Sequence, residues 1–219
     1  MDSDPIKKIR VKIKKYLPSQ VFREDINRGL TRSGEHLFYR MSMSFEDALE
    51  VYDQVAEKVK ASYFTDDVEI VNLSHPEDTQ EFMFLYNAIF MAAPDPSRTI
   101  TLEEASYFPE SQTFIVKIWG MMAGFIYLVT EKDPLGSGDK VGAIAGIGVL
   151  PKYRGRRLGL LMIKHAIDYF KVQDPPVKQL ICEVYSENNP SLAMFKGLGM
   201  EIVGHMILED EELEEPETT

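Results

Sequence analysis

Helical and strand-like hydrophobic patterns follow one another along the chain. Ser44 and Asp47 have the spacing of a capping box, and from Phe45 to Tyr63 apolar residues recur on one helical stripe. This pattern predicts an amphipathic helix over 45–63. Short apolar runs bounded by turn residues predict strands over 68–73, 112–118, 121–130 and 141–150.

The segment 79–93 is apolar on nearly all sides, which predicts a buried helix. Pro94 and Pro96 follow this segment and end the helix. Only Trp119 and Gly120 separate the second predicted strand from the third, and so short a connection predicts a β-hairpin.

The first forty residues give no single prediction. Ile9, Val11 and Ile13 alternate with basic residues, as in a strand. Ile6 and Leu17, taken together with Ile9 and Ile13, fit one face of a helix equally well. The segment is either a basic arm that binds anionic partners, or a solvated edge or a strap that pairs with the acidic tail.

Charge is unevenly distributed along the chain. Residues 1–40 hold ten Lys or Arg against five Asp or Glu, whereas residues 209–217 hold seven acids and no base. We therefore expect an N-terminal extension over 1–64, a folded domain over 65–208, and an acidic disordered tail over 209–219. The extension completes the sheet, forms a separate lobe or mediates dimerisation, and the protein is a monomer or a homodimer.

The composition bounds the class of protein. A content of 44% hydrophobic and 27% charged residues is ordinary for a globular protein. The single cysteine, Cys182, excludes a disulfide framework and a multi-cysteine zinc site within one chain. No apolar run approaches the ~20 residues of a membrane span, and the N-terminal residues lack the pattern of a secretory signal. We expect a cytoplasmic protein that does not bind membranes.

The net charge of −11 argues against nucleic acid as the main partner, because an acidic field repels polyanions. It favours a cationic substrate, although solubility alone also accounts for an acidic surface. The four histidines lie in four different predicted elements without the spacing of metal ligands, so no metal site is predicted.

The stretch 141–200 carries most of the predicted chemistry. Its order is strand, basic turn, helix, strand, Asn-rich turn and helix. A right-handed crossover between parallel strands brings the strand ends and the start of the first helix to one edge of the sheet. The loop Arg154-Gly155-Arg156-Arg157-Leu158-Gly159 lies at that start, where unpaired amides, the helix dipole and three arginines predict a phosphate or pyrophosphate site.

Other phosphate-binding loops do not fit this stretch. A Walker loop requires a Gly, four residues and then Gly-Lys-Ser/Thr, and the sequence contains no such string. Gly146 and Gly148 match the first two glycines of a dinucleotide fingerprint, but Pro151 stands at the third position.

The sequence resembles the GCN5-related N-acetyltransferase (GNAT) superfamily across 68–208, and most closely across 147–200. The resemblance rests on the run IGVLPKYRGRRLG, on the Glu183-Val184 strand with Asn188 beyond it, and on the helix and turn NNPSLAMFKGLGM. It implies an α/β fold of the mixed α+β kind, with a central twisted mixed β-sheet flanked by helices.

The same resemblance implies transfer of an acetyl group from acetyl-CoA to a primary amine by direct attack in a ternary complex. The acceptor is a small molecule, a peptide or a protein. The alternative is a non-catalytic acyl-CoA-binding sensor or interaction module. By resemblance, the residues that bind acetyl-CoA are Ile147, Gly148, Val149, Arg154, Gly155, Arg156, Arg157, Leu158, Gly159, Leu160, Asn188 and Phe195.

The loop departs from the family pattern at Arg157, where a glycine is usual. Either the backbone there is not left-handed, or the arginine carries a strain of ~1 kcal/mol or more. Its guanidinium is also a candidate for an added phosphate contact.

Glu183 is the candidate catalytic base, because in some members of the family a glutamate on this strand takes the proton of the amine. The alternative is a charged residue that faces solvent at a strand end. Phe195 stands where a tyrosine commonly protonates the departing thiolate, and Tyr185, expected on the same strand face as Glu183, is the candidate replacement. The resemblance also implies a backbone oxyanion contact from a β-bulged strand near Val149.

Overall fold

The computed structural model describes residues 35–60, 67–96, 99–133 and 138–209. The predicted basic arm before residue 35 and the acidic tail after residue 209 lie outside these residues. The described helices and strands are β1 (Glu35–Ser44), α1 (Phe45–Lys60), β2 (Val68–Asn72), α2 (Thr79–Met91), α3 (Leu102–Ala105), β3 (Thr113–Ile118), β4 (Met121–Lys132), β5 (Lys140–Val149), α4 (Leu158–Lys171), β6 (Gln179–Tyr185), α5 (Asn189–Gly197) and β7 (Glu201–Glu209).

The described strands form one seven-stranded sheet in the order β2-β3-β4-β5-β6-β1-β7. The β5–β6 pair is parallel, and the other neighbours are antiparallel. The predicted mixed sheet with flanking helices is confirmed. In the described ranges, no helix is long and apolar enough to cross a bilayer.

Local capping and turn chemistry explain two of the predicted elements. The Ser44 hydroxyl accepts a hydrogen bond from the Asp47 amide at 3.0 Å, and the helix that follows is described as far as Lys60. Trp119 and Gly120 both have positive φ, at 50° and 75°, as the tight turn of a β-hairpin requires. The predicted hairpin is confirmed.

Strand β1 lies inside the sheet, between β6 and β7. Its side chains are buried on both faces, because Phe38 and Met41 are 2% and 0% exposed. Residues 35–60 therefore complete the sheet, which is one of the three roles considered for the N-terminal extension. The structure differs here from the expected boundary after residue 64, because β1 forms part of the same core as the domain over 65–208.

Two hydrophobic clusters cover opposite faces of the sheet. Alternate residues of β3 show the separation, since Phe114 and Val116 belong to one cluster and Ile115 to the other. Helices α1, α4 and α5 cover the first face, here called the α4 face. Helix α2 covers the second face, the α2 face. The α2 cluster is rich in aromatic rings, which include Phe82, Tyr86, Phe108, Phe125 and Tyr127.

Candidate active site

The central feature of the site is the place where β5 and β6 separate. The two strands pair in parallel register from Val141 opposite Gln179 to Ile144 opposite Cys182. Beyond this pair both strands continue, but they no longer pair with each other in the described sheet. A gap therefore opens between them in the middle of the molecule.

A β-bulge in β5 coincides with this separation. Tyr127 of β4 lies opposite Gly146, whereas the next residue, Leu128, lies opposite Ile144, so Ala145 is the extra residue. The resemblance implied a β-bulged strand near Val149, and β5 is bulged, at Ala145, whereas the oxyanion contact stays a prediction. The run AIAGIG consists of small and apolar residues, and nothing in its pattern marks which of them is the extra one.

A cavity of about 260 Å³ occupies the gap and extends over the α2 face. It lies among α2, the loop after α2, β4, β5, β6 and the start of α5. The predicted site residues that line it are Ile147, Gly148, Val149, Arg154, Glu183, Asn188 and Phe195. The other predicted loop residues, Gly155 through Leu160, are not among the described residues that line it, and they lie just before and at the start of α4.

Gly148 allows α2 and β5 to pack directly against each other. A Cβ atom at this position would lie 2.3 Å from Ile89 Cγ2, closer than two carbon atoms can approach. The absence of a side chain therefore sets the distance between α2 and the strand that lines the cavity.

The loop before α4 exposes backbone amides at the helix start. Gly155 and Arg157 have positive φ, at 76° and 61°, and Arg157 is the N-cap, without a side-chain capping bond. The Leu161 amide donates to the Arg157 carbonyl at 3.1 Å. The amides of Leu158, Gly159 and Leu160 precede this first helical hydrogen bond, so they suit an anion. We call residues 147–160 the main-chain wall.

The arginine side chains of this loop fasten it to neighbouring backbone. Arg154 donates from Nε to the Val149 carbonyl at 3.1 Å and from Nη1 to the Ala92 carbonyl at 3.4 Å. Arg157 donates from Nη1 to the Lys58 carbonyl at 2.7 Å, near the end of α1. Of the two alternatives for Arg157, the left-handed backbone is the one observed, and its guanidinium is engaged with α1.

Asn188 joins the two sides of the cavity. Its Oδ1 accepts a hydrogen bond from the Ser191 amide at 3.2 Å and so caps α5. Its Nδ2 donates to Asp95 Oδ2 at 2.6 Å. Asp95 belongs to the loop after α2, so this contact spans the mouth of the cavity.

Glu183 forms an ion pair that sequence reasoning missed. Arg40 of β1 lies directly opposite Glu183 in the sheet, and its Nη2 donates to Glu183 Oε1 at 2.7 Å. The two side chains are 14% and 11% exposed, so Glu183 does not face bulk solvent. No local sequence signal links residues 143 positions apart. Arg40 Nε is buried and has no hydrogen-bond partner in the described structure.

Tyr185 and Phe195 occupy different surroundings. The Tyr185 ring packs against Phe38 with centroids 5.3 Å apart, and Tyr185 is not among the described residues that line the cavity. Burial, together with the negative charge of Glu187, raises the pKa of Tyr185 above its usual value. Phe195 is 2% exposed and lines the cavity from α5.

Aromatic side chains form the other side of the cavity. They come from α2, the segment after α3, and β4, and sequence reasoning did not assign them to the site. We call this set the aromatic wall, and it consists of Tyr86, Phe90, Tyr107, Phe108, Phe125 and Tyr127. In the described ranges, no group of three or more His, Cys, Asp or Glu side chains has the geometry of a metal site.

A family model described as the acetyltransferase (GNAT) family matches residues 79–200. This range contains α2, the strands from β3 to β6, α4 and α5. No curated protein matches the chain.

Solved structures share the fold at low sequence identity. A functionally unknown conserved protein from Staphylococcus epidermidis has a TM-score of 0.53 at 11% identity, over 88% of this chain and 68% of its own. A GCN5-related N-acetyltransferase from Sphaerobacter thermophilus has a TM-score of 0.53 at 15% identity, over 86% and 56%. A putative acetyltransferase from the GNAT family of Novosphingobium aromaticivorans has a TM-score of 0.50 at 17% identity, over 80% and 63%. The chain thus spans about half to two thirds of the length of these proteins.

Proposed function

The chain belongs to the acetyltransferase (GNAT) family, and on this premise we propose that it transfers the acetyl group of acetyl-CoA to a primary amine. Both substrates bind in the gap between β5 and β6. The observation that carries the proposal is this gap, which has the free amides of α4 at one end and Glu183 on its wall.

The main-chain wall fits coenzyme A in two ways. The amides of Leu158, Gly159 and Leu160 suit the diphosphate, because helix N-termini bind anions through free N–H groups and the helix dipole. The backbone of Ile147–Val149 lies at the edge that β6 leaves, where it can pair with the amides of the pantetheine arm as it would with a strand. When bound, acetyl-CoA supplies the thioester.

Positioning of the two substrates provides the larger part of the rate enhancement. A lysine-like amine has a pKa of ~10.4, so removing its proton near neutral pH costs roughly 4 kcal/mol. Orientation of two bound reactants contributes ~7–11 kcal/mol. The new C–N bond then forms as the C–S bond of the thioester breaks.

Glu183 attracts the ammonium group and takes its proton, directly or through water. Arg40 holds the Glu183 carboxylate in one orientation through their 2.7 Å contact. A positioned base contributes about 10²–10⁴ in rate.

The thiolate leaves without a side-chain acid in this proposal. Phe195 has no proton to donate, and Tyr185 packs outside the lining of the cavity. A thiol of pKa ~8.5 departs readily as a thiolate near neutral pH, and water protonates it afterwards.

Calorimetry with coenzyme A and thiol release from acetyl-CoA across a panel of amines test this function. Glu183→Gln is expected to retain coenzyme A binding and to lower turnover about 100-fold or more. Glu69→Gln, on an exposed strand position, is the matched control and is expected to leave both unchanged. Absence of any heat from coenzyme A would contradict the proposal.

A second candidate function is a non-catalytic acyl-CoA-binding module. The buried phenylalanine at position 195 favours it, because the usual tyrosine acid is lacking there. Binding of coenzyme A together with no thiol release on any amine would support this candidate.

A further inference from the structure

We propose that the acceptor is a monoamine whose amino group is attached to an apolar, ring-sized body. The body packs on the aromatic wall, and the ammonium group lies between Glu183 and Asp95. This inference rests on the proposed function and names the class of its acceptor.

The rings of the aromatic wall pack against one another. Tyr86 and Phe90 lie with centroids 4.5 Å apart, and Phe108 and Tyr127 lie 5.4 Å apart. Tyr86 also packs against Phe125 at 5.5 Å. Because neighbouring rings hold one another, a bound ring contacts them without the entropic cost of ordering flexible side chains.

The wall extends to the catalytic gap. Tyr127 lies opposite Gly146, next to the bulge at Ala145. A Cβ atom at Gly146 would lie 3.3 Å from Phe125 Cε2 and 3.7 Å from Tyr127 Cβ. Gly146 therefore leaves the aromatic rings in direct continuity with the gap between β5 and β6, where the amine must meet the thioester.

The charges around the cavity favour one ammonium group. Its described carboxylates are Glu183 and Asp95, and its described cation is Arg154, which donates to the Val149 and Ala92 carbonyls at the main-chain wall. Arg40 offsets the charge of Glu183 from β1. With Arg40 included, two guanidinium groups balance the two carboxylates, so the described charges can place one ammonium group but leave no surplus negative charge for the further charges of a polyamine.

The wall disfavours polar acceptors. A hydroxyl group buried without a hydrogen-bond partner costs ~1–3 kcal/mol, and an amino sugar brings several such groups against aromatic rings. The cavity of about 260 Å³ lies slightly below the ~300–1,000 Å³ of typical ligand sites, and it must also admit the acetylated end of coenzyme A, so the acceptor that shares it is small.

Three amines with different bodies test the proposal, two with a single amino group and one polyamine. The probes are 2-phenylethylamine, glucosamine and spermidine, each titrated into the protein saturated with coenzyme A and each assayed with acetyl-CoA. We expect 2-phenylethylamine to bind and to have a kcat/KM at least about 10-fold above the other two, as ring burial predicts. Equal or better binding and turnover of glucosamine or spermidine would overturn the inference and leave the acetyltransferase proposal standing.

Two phenylalanines of α2 form a matched pair of variants. Phe90 lines the cavity, whereas Phe84 is 58% exposed on the solvent side of the same helix. Phe90→Ala is expected to weaken 2-phenylethylamine binding about 10-fold with little change in coenzyme A affinity, and Phe84→Ala to change neither. Equal effects of the two variants would overturn the inference.

The binding measurements distinguish the acceptor inference from the acetyltransferase proposal. Phe90-dependent binding of 2-phenylethylamine without turnover of any amine would contradict the acetyltransferase and support the apolar amine site. Failure of 2-phenylethylamine to bind the coenzyme A complex at millimolar concentration would overturn the site, whatever the turnover of other amines.

Discussion

The two walls of the cavity recognise their ligands by different means. The main-chain wall consists of consecutive residues, 147–160, whose backbone lies at a strand edge and a helix start. The aromatic wall and Glu183 use side chains from α2, β4, β6 and the segment after α3. Recognition by backbone leaves a short local motif in the sequence, whereas recognition by side chains depends on which distant segments the sheet brings together.

Loss of Arg40 is the largest expected effect, and it should affect Glu183 and leave the main-chain wall unchanged. Arg40→Met leaves the Glu183 carboxylate buried without this partner. We expect the free energy of unfolding, measured by urea denaturation, to fall by about 3–5 kcal/mol. The double variant Arg40→Met/Glu183→Met should recover most of this loss. A double variant no more stable than Arg40→Met alone would contradict the proposed importance of the pair.

A substitution at Gly148 tests the contact between α2 and β5, where the main-chain wall meets the helix that supplies part of the aromatic wall. Gly148→Ala forces a Cβ into Ile89, and we expect a loss of about 1–3 kcal/mol in the free energy of unfolding and weaker coenzyme A binding. Gly197→Ala is the control, because its added Cβ has no atom within 4 Å. The loss should shrink when Gly148→Ala is combined with Ile89→Ala, and purely additive effects would count against direct contact.

Arg157 sharpens the distinction between backbone and side-chain recognition. Arg157→Ala keeps the left-handed strain and loses the contact with Lys58, whereas Arg157→Gly loses the contact and relieves the strain. We therefore expect the alanine variant to be less stable than the glycine variant by about 1 kcal/mol. Coenzyme A affinity, measured by calorimetry, should change in neither. A large loss of affinity in both would show that the guanidinium itself binds the ligand.

The smallest expected effect is a pH dependence of stability that arises from a histidine in α4. His165 packs against Phe114 with centroids 4.3 Å apart, and burial lowers the pKa of its imidazole below 6.5, opposed by Asp168 and aided by Lys164. The native state therefore favours neutral His165, and stability falls as pH drops below about 6.5, where the unfolded chain binds the proton first. The urea midpoint should fall less between pH 7.5 and 5.5 in His165→Gln than in the unmodified protein, and equal slopes would refute this origin.

The contrast between the walls also explains what the sequence could predict. The strands and the hairpin at Trp119 follow from local patterns, and the mixed sheet follows from the family resemblance. The loop at Arg154 was located by its local pattern, and its binding of phosphate stays a prediction. Glu183 was expected on a strand, as observed, and its role as a base stays a prediction. Its partner Arg40 was not found, because strand pairing across the chain has no local signature. The bulge of β5 was expected from the resemblance, but its position at Ala145 was not, since one extra residue does not alter the composition of an apolar run.

The position of β1 also has a consequence for the order in which the protein is made. This strand pairs with β6 and β7, and Arg40 precedes Glu183 by 143 residues. At ribosomal rates of about 5–20 residues per second, β1 waits roughly 7–30 s for its partners to emerge. The gap and its charged pair therefore assemble only after nearly all of the described chain has been synthesised, so any earlier nascent intermediate lacks the complete cavity.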